Sequence, residues 1–199
     1  MHYMITLTTL KHNIKRYKLK NKISTYIPGK RITSKNGFKY ILNAKYAKVD
    51  KRMKRAIPPS KMLVSGIFSG KYINDDVMEF PVEWYIRAIK KGKLSPHKKN
   101  PLINKYRLKS RMSLKYWKKN GWIHGKDQKG WFQWWCRYYI GLRRPFIDEI
   151  QIRRWLSYKR HWSQLRKNLK NNNKWKDPSY RPKQRQSLLQ WAWTQPDSI

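Results

Sequence analysis

Acidic side chains are scarce in this sequence. Its 199 residues include 10 Asp and Glu against 48 Lys and Arg, which gives a formal net charge of +38. Self-repulsion of that size opposes a compact state, whereas a polyanionic partner neutralises it. We therefore expect a nucleic acid as the partner, with an anionic membrane surface as the alternative.

Cysteine and long apolar runs are also scarce. Cys136 is the only cysteine, so the chain forms no internal disulfide, as is typical of a reducing compartment. No run approaches the roughly 18 apolar residues that indicate a membrane span. The five histidines share no metal-ligand spacing with Cys136, and no glycine-rich phosphate loop is present. We predict no metal and no cofactor, and we interpret Cys136 as a small buried hydrophobe.

The few carboxylates form one cluster, at Asp75, Asp76, Glu79 and Glu83. Metal-assisted cleavage of a phosphodiester needs carboxylates gathered in one place, so a metal-dependent nuclease is the enzyme alternative. The spacing of four residues between Asp75, Glu79 and Glu83 could align them on one helical face, but Pro81 begins the nearest predicted helix too late for all three to share it. We interpret the cluster as helix-start charges and internal partners of a lysine-rich chain, and we predict no catalysis.

Residues 1–62 have the composition of a basic arm. They contain a single acidic side chain, Asp50, and no tryptophan. The pair Asn36-Gly37 between two apolar segments predicts a β-hairpin. We predict an extension over residues 1–62 that becomes ordered in part on binding. A cleaved targeting segment has a similar composition and stays the alternative for its beginning. The lysines that we expect to contact phosphates are Lys15, Lys18 and Lys20.

Aromatic side chains dominate the remaining module, residues 63–199. All 11 tryptophans lie there, and the run 130–141, GWFQWWCRYYIG, contains six aromatic rings in twelve residues. Such a density of rings forms a core, a partner surface or a stacking platform. Near-helical spacing assigns four to the core: Trp131, Trp134, Trp155 and Trp162. We predict exposure, and stacking on bases, for Trp135, Tyr139, Trp175 and Trp191.

Capping signals predict a mainly α fold for this module, with three or four helices around the aromatic core. The first helix starts at Pro81 and ends at Gly92. The second is capped by Ser110 or Ser113 and ends at Gly121. The lysine-rich segment 90–109 between them is predicted to be an exposed linker. The last helix is predicted over residues 183–193.

A long amphipathic helix is predicted from Pro145 to about Leu169. Its apolar side chains share one arc and its basic side chains the other, which suits a helix between a core and phosphates. Arg154 alone projects into the apolar arc, where it must stack on a ring or pair with a carboxylate. The residues that we predict to contact the nucleic-acid backbone here are Arg143, Arg144, Arg153, Arg160 and Lys167.

The aromatic run resembles the motif Gly-Trp-Phe-Gln-Trp-x-Cys-Arg-Tyr-Tyr of an uncharacterised family found in fungi, algae and large DNA viruses. Residues 130–139 carry the motif, and the resemblance extends over residues 67–193. It departs at Trp135, where the family has tyrosine, and at Leu142, where it has arginine. The family has no settled activity, so the resemblance implies one C-terminal module and no particular function. The other matching residues are Trp117, Gly121, Trp122, Ile123, the runs 151–155 and 184–186, Leu189, Trp191 and Ala192.

Charge and layout together predict a structural RNA-binding protein. A nearly acid-free extension on a small globule is typical of ribosomal proteins, and the lysine- and asparagine-rich composition suits an AT-rich organellar genome. We predict an rRNA-binding component of an organellar ribosome, in the matrix of a mitochondrion or another organelle, with neighbouring proteins as further partners. A DNA-binding or DNA-condensing protein of a nucleus or virion is the alternative, followed by the metal-dependent nuclease.

Overall fold

The computed structural model of the chain describes residues 29–42, 48–76, 79–95, 98–109 and 112–195, and they form a mainly helical protein around one aromatic core. This confirms the mainly α class. Three 3-10 turns, Lys51–Met53, Asn74–Asp76 and Pro101–Ile103, lie in the connections. The α-helices are α1 Pro59–Val64, α2 Val82–Lys90, α3 Leu114–Lys119, α4 Trp131–Tyr139, α5 Pro145–Ser157, α6 Lys159–Asn171 and α7 Pro182–Gln190.

The predicted hairpin forms from β1 Arg31–Thr33 and β2 Lys39–Ile41. The strands are antiparallel with Ile32 opposite Tyr40, and these two side chains are buried while their neighbours in each strand are exposed. Gly37 lies in the turn at φ +79°, a conformation that glycine adopts without strain. Because side chains alternate between the two faces of a strand, the hairpin packs on the core through the face that carries Ile32 and Tyr40.

Helix α4 passes through the centre of the core. Eight of its nine side chains are buried, from Trp131 to Tyr138. Its start depends on Gly130, which has φ +77° and lies against the Trp117 ring, where an added Cβ would approach Cζ3 to 3.1 Å. The core assignment of the four tryptophans is confirmed, because all of them are buried: Trp131, Trp134, Trp155 and Trp162.

The single long helix predicted from Pro145 to Leu169 is wrong, because two helices, α5 and α6, meet at Tyr158. Ser157 Oγ donates to the Arg154 carbonyl oxygen at 2.7 Å, a local hydrogen bond that bends helices. Tyr158 stacks on Trp191 with ring centroids 4.4 Å apart and an interplanar angle of 23°. This tertiary contact fixes the bend.

Three helix termini follow the predicted caps. Ser113 Oγ accepts the backbone N–H of Tyr116 at 3.1 Å to begin α3. Gly121 follows α3 at φ +64°, and Trp122 N–H donates to the Trp117 carbonyl at 3.0 Å. Gly92, at φ +62°, follows α2 in the same way.

The predicted exposed linker over residues 90–109 is wrong in its second half. Asn104 and Tyr106 are buried. Asn104 Oδ1 accepts the Ser69 N–H at 2.6 Å, and Tyr106 N–H donates to Gln186 Oε1 at 3.2 Å. The polar groups of this segment thus tie it to the core.

The predicted extension shares the core of the module from Gly29 onward. Ile32, Leu42 and Met53 are buried in the same cluster as the tryptophans, and Ala56 forms a β-bridge with Trp193. Within the described ranges, residue 62 is therefore no packing boundary, whereas residues 1–28 and 43–47 lie outside them. None of the helices in these ranges has the length and apolarity that crossing a bilayer requires.

Candidate nucleic-acid interface

Half of the carboxylates whose side chains the structure describes are directed into the protein. Asp76, Glu79, Asp127 and Asp148 are buried. Lys129 Nζ lies 2.8 Å from Asp76 Oδ2, and the Trp134 indole donates to Asp148 Oδ1 at 2.8 Å. These four acids neutralise internal cations and satisfy internal donors, so they do not offset the positive charge of the surface.

A buried ion cluster surrounds Arg137 of α4. Its Nε and NH2 donate to the two oxygens of Glu79 at 2.6 and 3.2 Å, and its NH1 donates to Asp127 Oδ1 at 2.8 Å. Tyr40 OH donates to Glu79 Oε1 at 3.0 Å. Burial raises the pKa of Glu79, against the opposing effect of the Arg137 guanidinium. Arg144 also pairs with Asp127.

This cluster explains the predicted acidic group. Asp76 and Glu79 are internal partners of basic side chains, as we interpreted them, and Glu83 begins α2. In the described part of the chain no three His, Cys, Asp or Glu side chains are arranged to hold a metal ion. Cys136 is buried, and burial raises the pKa of its thiol well above the usual range, in line with its interpretation as a small hydrophobe.

Two of the predicted phosphate contacts, Arg143 and Arg144, are held by the protein itself. The Arg143 guanidinium lies 3.7 Å from the Tyr138 ring centroid and donates to the carbonyls of Leu142 and Lys48 at 2.8 and 3.2 Å. Burial lowers the pKa of Arg143. Since Arg144 is paired with Asp127, we assign both arginines to the fold.

The remaining predicted contacts include three exposed side chains of α5 and α6. Arg153 is 76% exposed, although its Nε lies 2.7 Å from Glu149. Arg160 and Lys167 are exposed and form no ion pair within the described ranges. Helix α6 carries five Lys and Arg and no acidic residue, while Trp162, Leu165 and Leu169 bury its other side. Its outer face is therefore a basic surface, as the amphipathic pattern predicted. The predicted contacts Lys15, Lys18 and Lys20 lie outside the described residues.

The stacking prediction for Trp135 is wrong. Its side chain is 1% exposed, and its indole donates to the Ile57 carbonyl at 2.9 Å, because α1 and the residues just before it pack against α4. Tyr139 is half-buried between Trp84 and Trp135, and Trp175 is half-buried against the core. Trp191, the fourth predicted ring, is half-buried and lines an open pocket.

That pocket is a groove of about 790 Å³, and we call it the aromatic groove. Its walls come from α3, the start of α4, the end of α5, α7 and the segments before α3. None of the described residues that line it is acidic, and four are basic. The lining residues are Lys99, Leu108, Lys109, Met112, Ser113, Trp117, Trp122, Gly130, Trp131, Arg154, Tyr158, Lys183, Gln186, Ser187, Gln190 and Trp191.

Arg154 organises the floor of the aromatic groove. Its guanidinium lies 5.5 Å from the Trp191 ring centroid, so of the two predicted possibilities, stacking on a ring or pairing with a carboxylate, Arg154 adopts the first. Its NH1 donates to the Trp122 carbonyl at 3.1 Å and to Gln151 Oε1 at 3.2 Å. Burial lowers the pKa of Arg154. No carboxylate of the described segments pairs with it, so its charge faces the groove uncompensated.

The sequence analysis missed three groove residues, Trp122, Lys109 and Lys183. The signal for Trp122 was its position directly after the helix-ending Gly121, which places a large ring outside any helix. No local pattern marks the two lysines, because they lie 74 residues apart in the sequence and meet only in the fold. Comparison of the chain with protein-family models, with curated proteins and with solved structures finds no match.

Proposed function

We propose that this chain is a structural RNA-binding protein, an rRNA-binding component of an organellar ribosome, without catalysis or a cofactor. In this proposal it works in the matrix of a mitochondrion or another organelle, beside neighbouring proteins of the same particle. The basic face of α6 holds the RNA backbone, and the aromatic groove adds a contact to bases.

The inward placement of the carboxylates is the observation that carries this proposal. Asp76, Glu79, Asp127 and Asp148 are buried, which leaves a surface more basic than the composition alone requires. A single anionic partner of high charge density compensates such a surface best. Exposed side chains without a carboxylate partner in the described segments, such as Arg160 and Lys167, supply phosphate contacts.

The rings of the aromatic groove favour RNA over duplex DNA. RNA presents unpaired bases in loops and bulges, and proteins recognise these bases by stacking on aromatic side chains. In a DNA duplex the base faces are stacked on one another and only the base edges are accessible. A protein that only condensed DNA would need the basic surface but not a groove lined by Trp122 and Trp191.

Sedimentation of the native protein from a gentle lysate tests the proposal. We expect co-migration with a large particle that RNase disperses and DNase leaves intact. Release by DNase instead would support the DNA-condensing alternative, and migration as a free monomer in every condition would contradict both.

A double variant tests the basic face directly. Replacing Arg153 and Arg160 with Ala removes two predicted phosphate contacts, so we expect weaker RNA binding and a slope of log affinity against log salt that is shallower by about 1.4 to 1.8. The control replaces two exposed arginines elsewhere, Arg55 and Arg87. If both double variants bound RNA like the parent protein, the exposed arginines of α5 and α6 would not form the phosphate-contacting face.

A further inference from the structure

Trp122 differs from the other tryptophans in its surroundings. It is 44% exposed, whereas Trp131, Trp134 and Trp155 are buried. Tyr116 meets it edge to face, with centroids 5.6 Å apart at 77°, and is itself exposed. A large ring left open to water at the wall of a pocket supplies contact area that the fold does not use.

The backbone of Trp122 is fixed although its ring is open. Its N–H donates to the Trp117 carbonyl at 3.0 Å, and its own carbonyl accepts from Arg154 NH1 at 3.1 Å. Both partners belong to the groove lining. The ring is therefore held at the groove before any ligand arrives, which lowers the entropy that binding costs.

The charges around this ring match a phosphate backbone. Lys109 and Lys183 are exposed lining residues and form no ion pair within the described ranges. Arg154 contributes a third positive charge on the floor. Proteins bind single-stranded nucleic acid through two elements, aromatic rings that stack on the bases and cations that contact the phosphates.

The size of the aromatic groove selects the form of the ligand. At about 790 Å³ it lies in the range of small-ligand sites, about 300–1,000 Å³, and admits a nucleotide or two. A duplex keeps its base faces covered by the neighbouring base pairs and presents only base edges in its grooves. Only an unpaired segment places a base face against Trp122.

We propose that the aromatic groove binds an unpaired segment of RNA, with one base stacked on Trp122 and the adjoining phosphates on Lys109 and Lys183. This proposal deepens the RNA-binding function proposed above and rests on it. It assigns to Trp122 the stacking role, and to the two lysines a phosphate-contacting role at the groove.

The test uses the full chain and a short unstructured RNA that carries a single 2-aminopurine, whose fluorescence falls when it stacks. We expect Trp122→Ala to weaken binding about 5- to 150-fold and to abolish the quenching, because stacking contributes that much per base. Its salt dependence should stay unchanged, since no charge is removed. Trp122→Phe should retain most of the affinity, which separates stacking from misfolding.

Phe146→Ala is the matched control, because Phe146 is 78% exposed and lies outside the groove lining. It should bind the RNA like the parent protein. Replacing Lys109 and Lys183 with Gln should instead make the salt slope shallower by about 0.7 for each lysine. Lys54→Gln, the same substitution at an exposed lysine outside the groove lining, should leave the salt slope nearly unaltered.

Several results would overturn the inference. Equal binding by Trp122→Ala and Phe146→Ala would refute the groove but leave the proposed function standing, provided that the parent protein binds RNA with a steep salt dependence. Equal or tighter binding of single-stranded DNA of the same sequence would refute the choice of RNA. Failure of the parent protein to bind any RNA would refute this inference and the proposed function together.

Discussion

The ion cluster around Arg137 and the aromatic groove around Arg154 both combine an arginine with aromatic rings, but the two arginines differ in what neutralises their charge. Arg137 lies 5.1 Å from the Phe38 ring centroid and is neutralised by Glu79 and Asp127. Arg154 lies 5.5 Å from the Trp191 ring centroid and has only neutral acceptors among the described residues. In this pair of arginines, the carboxylates neutralise Arg137 within the fold, whereas Arg154, which lines a groove, keeps a charge that an anionic ligand can compensate.

The largest effect is expected from removing the charge of Arg137. Arg137→Met leaves Glu79 and Asp127 buried without their main cation, and breaking a buried pair in this way costs about 3–5 kcal/mol. Urea denaturation monitored by circular dichroism would measure the loss. Arg87→Met, an exposed change in α2, should shift the free energy of unfolding by less than about 0.5 kcal/mol. If the two variants were equally stable, the cluster would not hold α4 in place.

A second comparison separates the hydrogen bond of an indole from its packing. Trp134 and Trp155 are both fully buried, but the Trp134 indole donates to Asp148 at 2.8 Å while the Trp155 indole has no partner in the described ranges. Trp134→Phe should therefore be less stable than Trp155→Phe by roughly 1–3 kcal/mol, the cost of an unsatisfied buried group. Asp148 keeps one donor, the Arg144 N–H at 2.7 Å.

The same urea titration gives both values, and because the two substitutions remove the same volume, the packing loss largely cancels. Equal destabilisation would mean that Asp148 finds another donor or is protonated in the variant. The latter is consistent with its surroundings, since burial raises the pKa of Asp148.

The third comparison keeps the charge of the groove and changes its shape. Arg154→Lys retains a cation but loses the planar contact with Trp191 and the hydrogen bond that holds Trp122. A cation on a ring contributes about 0.5–1 kcal/mol at such a site, so we expect a modest loss of RNA affinity at constant salt slope. Fluorescence anisotropy over a salt series would measure both. A changed slope with unchanged affinity would contradict the positioning role.

Local signals in the sequence predicted those parts of the fold that depend on neighbours in the chain. Ser113 caps the start of α3, Gly121 follows its end, and Asn36-Gly37 lies in the hairpin turn. These features were predictable because caps and tight turns are determined by the nearest few residues. The core tryptophans followed from spacing for the same reason. The contact of Arg154 with a ring was one of two predicted possibilities, because a guanidinium on an apolar face can only stack on a ring or pair with a carboxylate.

Contacts between distant residues explain what the sequence analysis missed. Trp191 fixes Tyr158 where the predicted long helix breaks, 33 positions away. Glu79 pairs with Arg137, which lies 58 positions away in the sequence. The sequence analysis could therefore predict an internal partner for Glu79 but not which residue it is. The walls of the aromatic groove come from five parts of the chain, and periodicity within any one of them carries no sign of the others.

The smallest effect is expected at Arg52, an exposed counterpart of Arg137 that also lies between two carboxylates. It bonds Asp50 at 2.9 Å and Glu149 at 2.7 Å. The contact with Arg52 lowers the pKa of Asp50, and Arg52 together with Arg153 lowers the pKa of Glu149 to about 2. A lowered folded-state pKa contributes stability that is present above the unfolded value, about 4.3 for Glu, and is lost as the pH falls. Arg52→Ala should therefore lower the melting temperature slightly at pH 7, with Arg55→Ala as the control, and the difference should vanish near pH 2. A loss as large as that of Arg137→Met would mean that pairing rather than burial sets the energy of these clusters, whereas solvent screening predicts a small one.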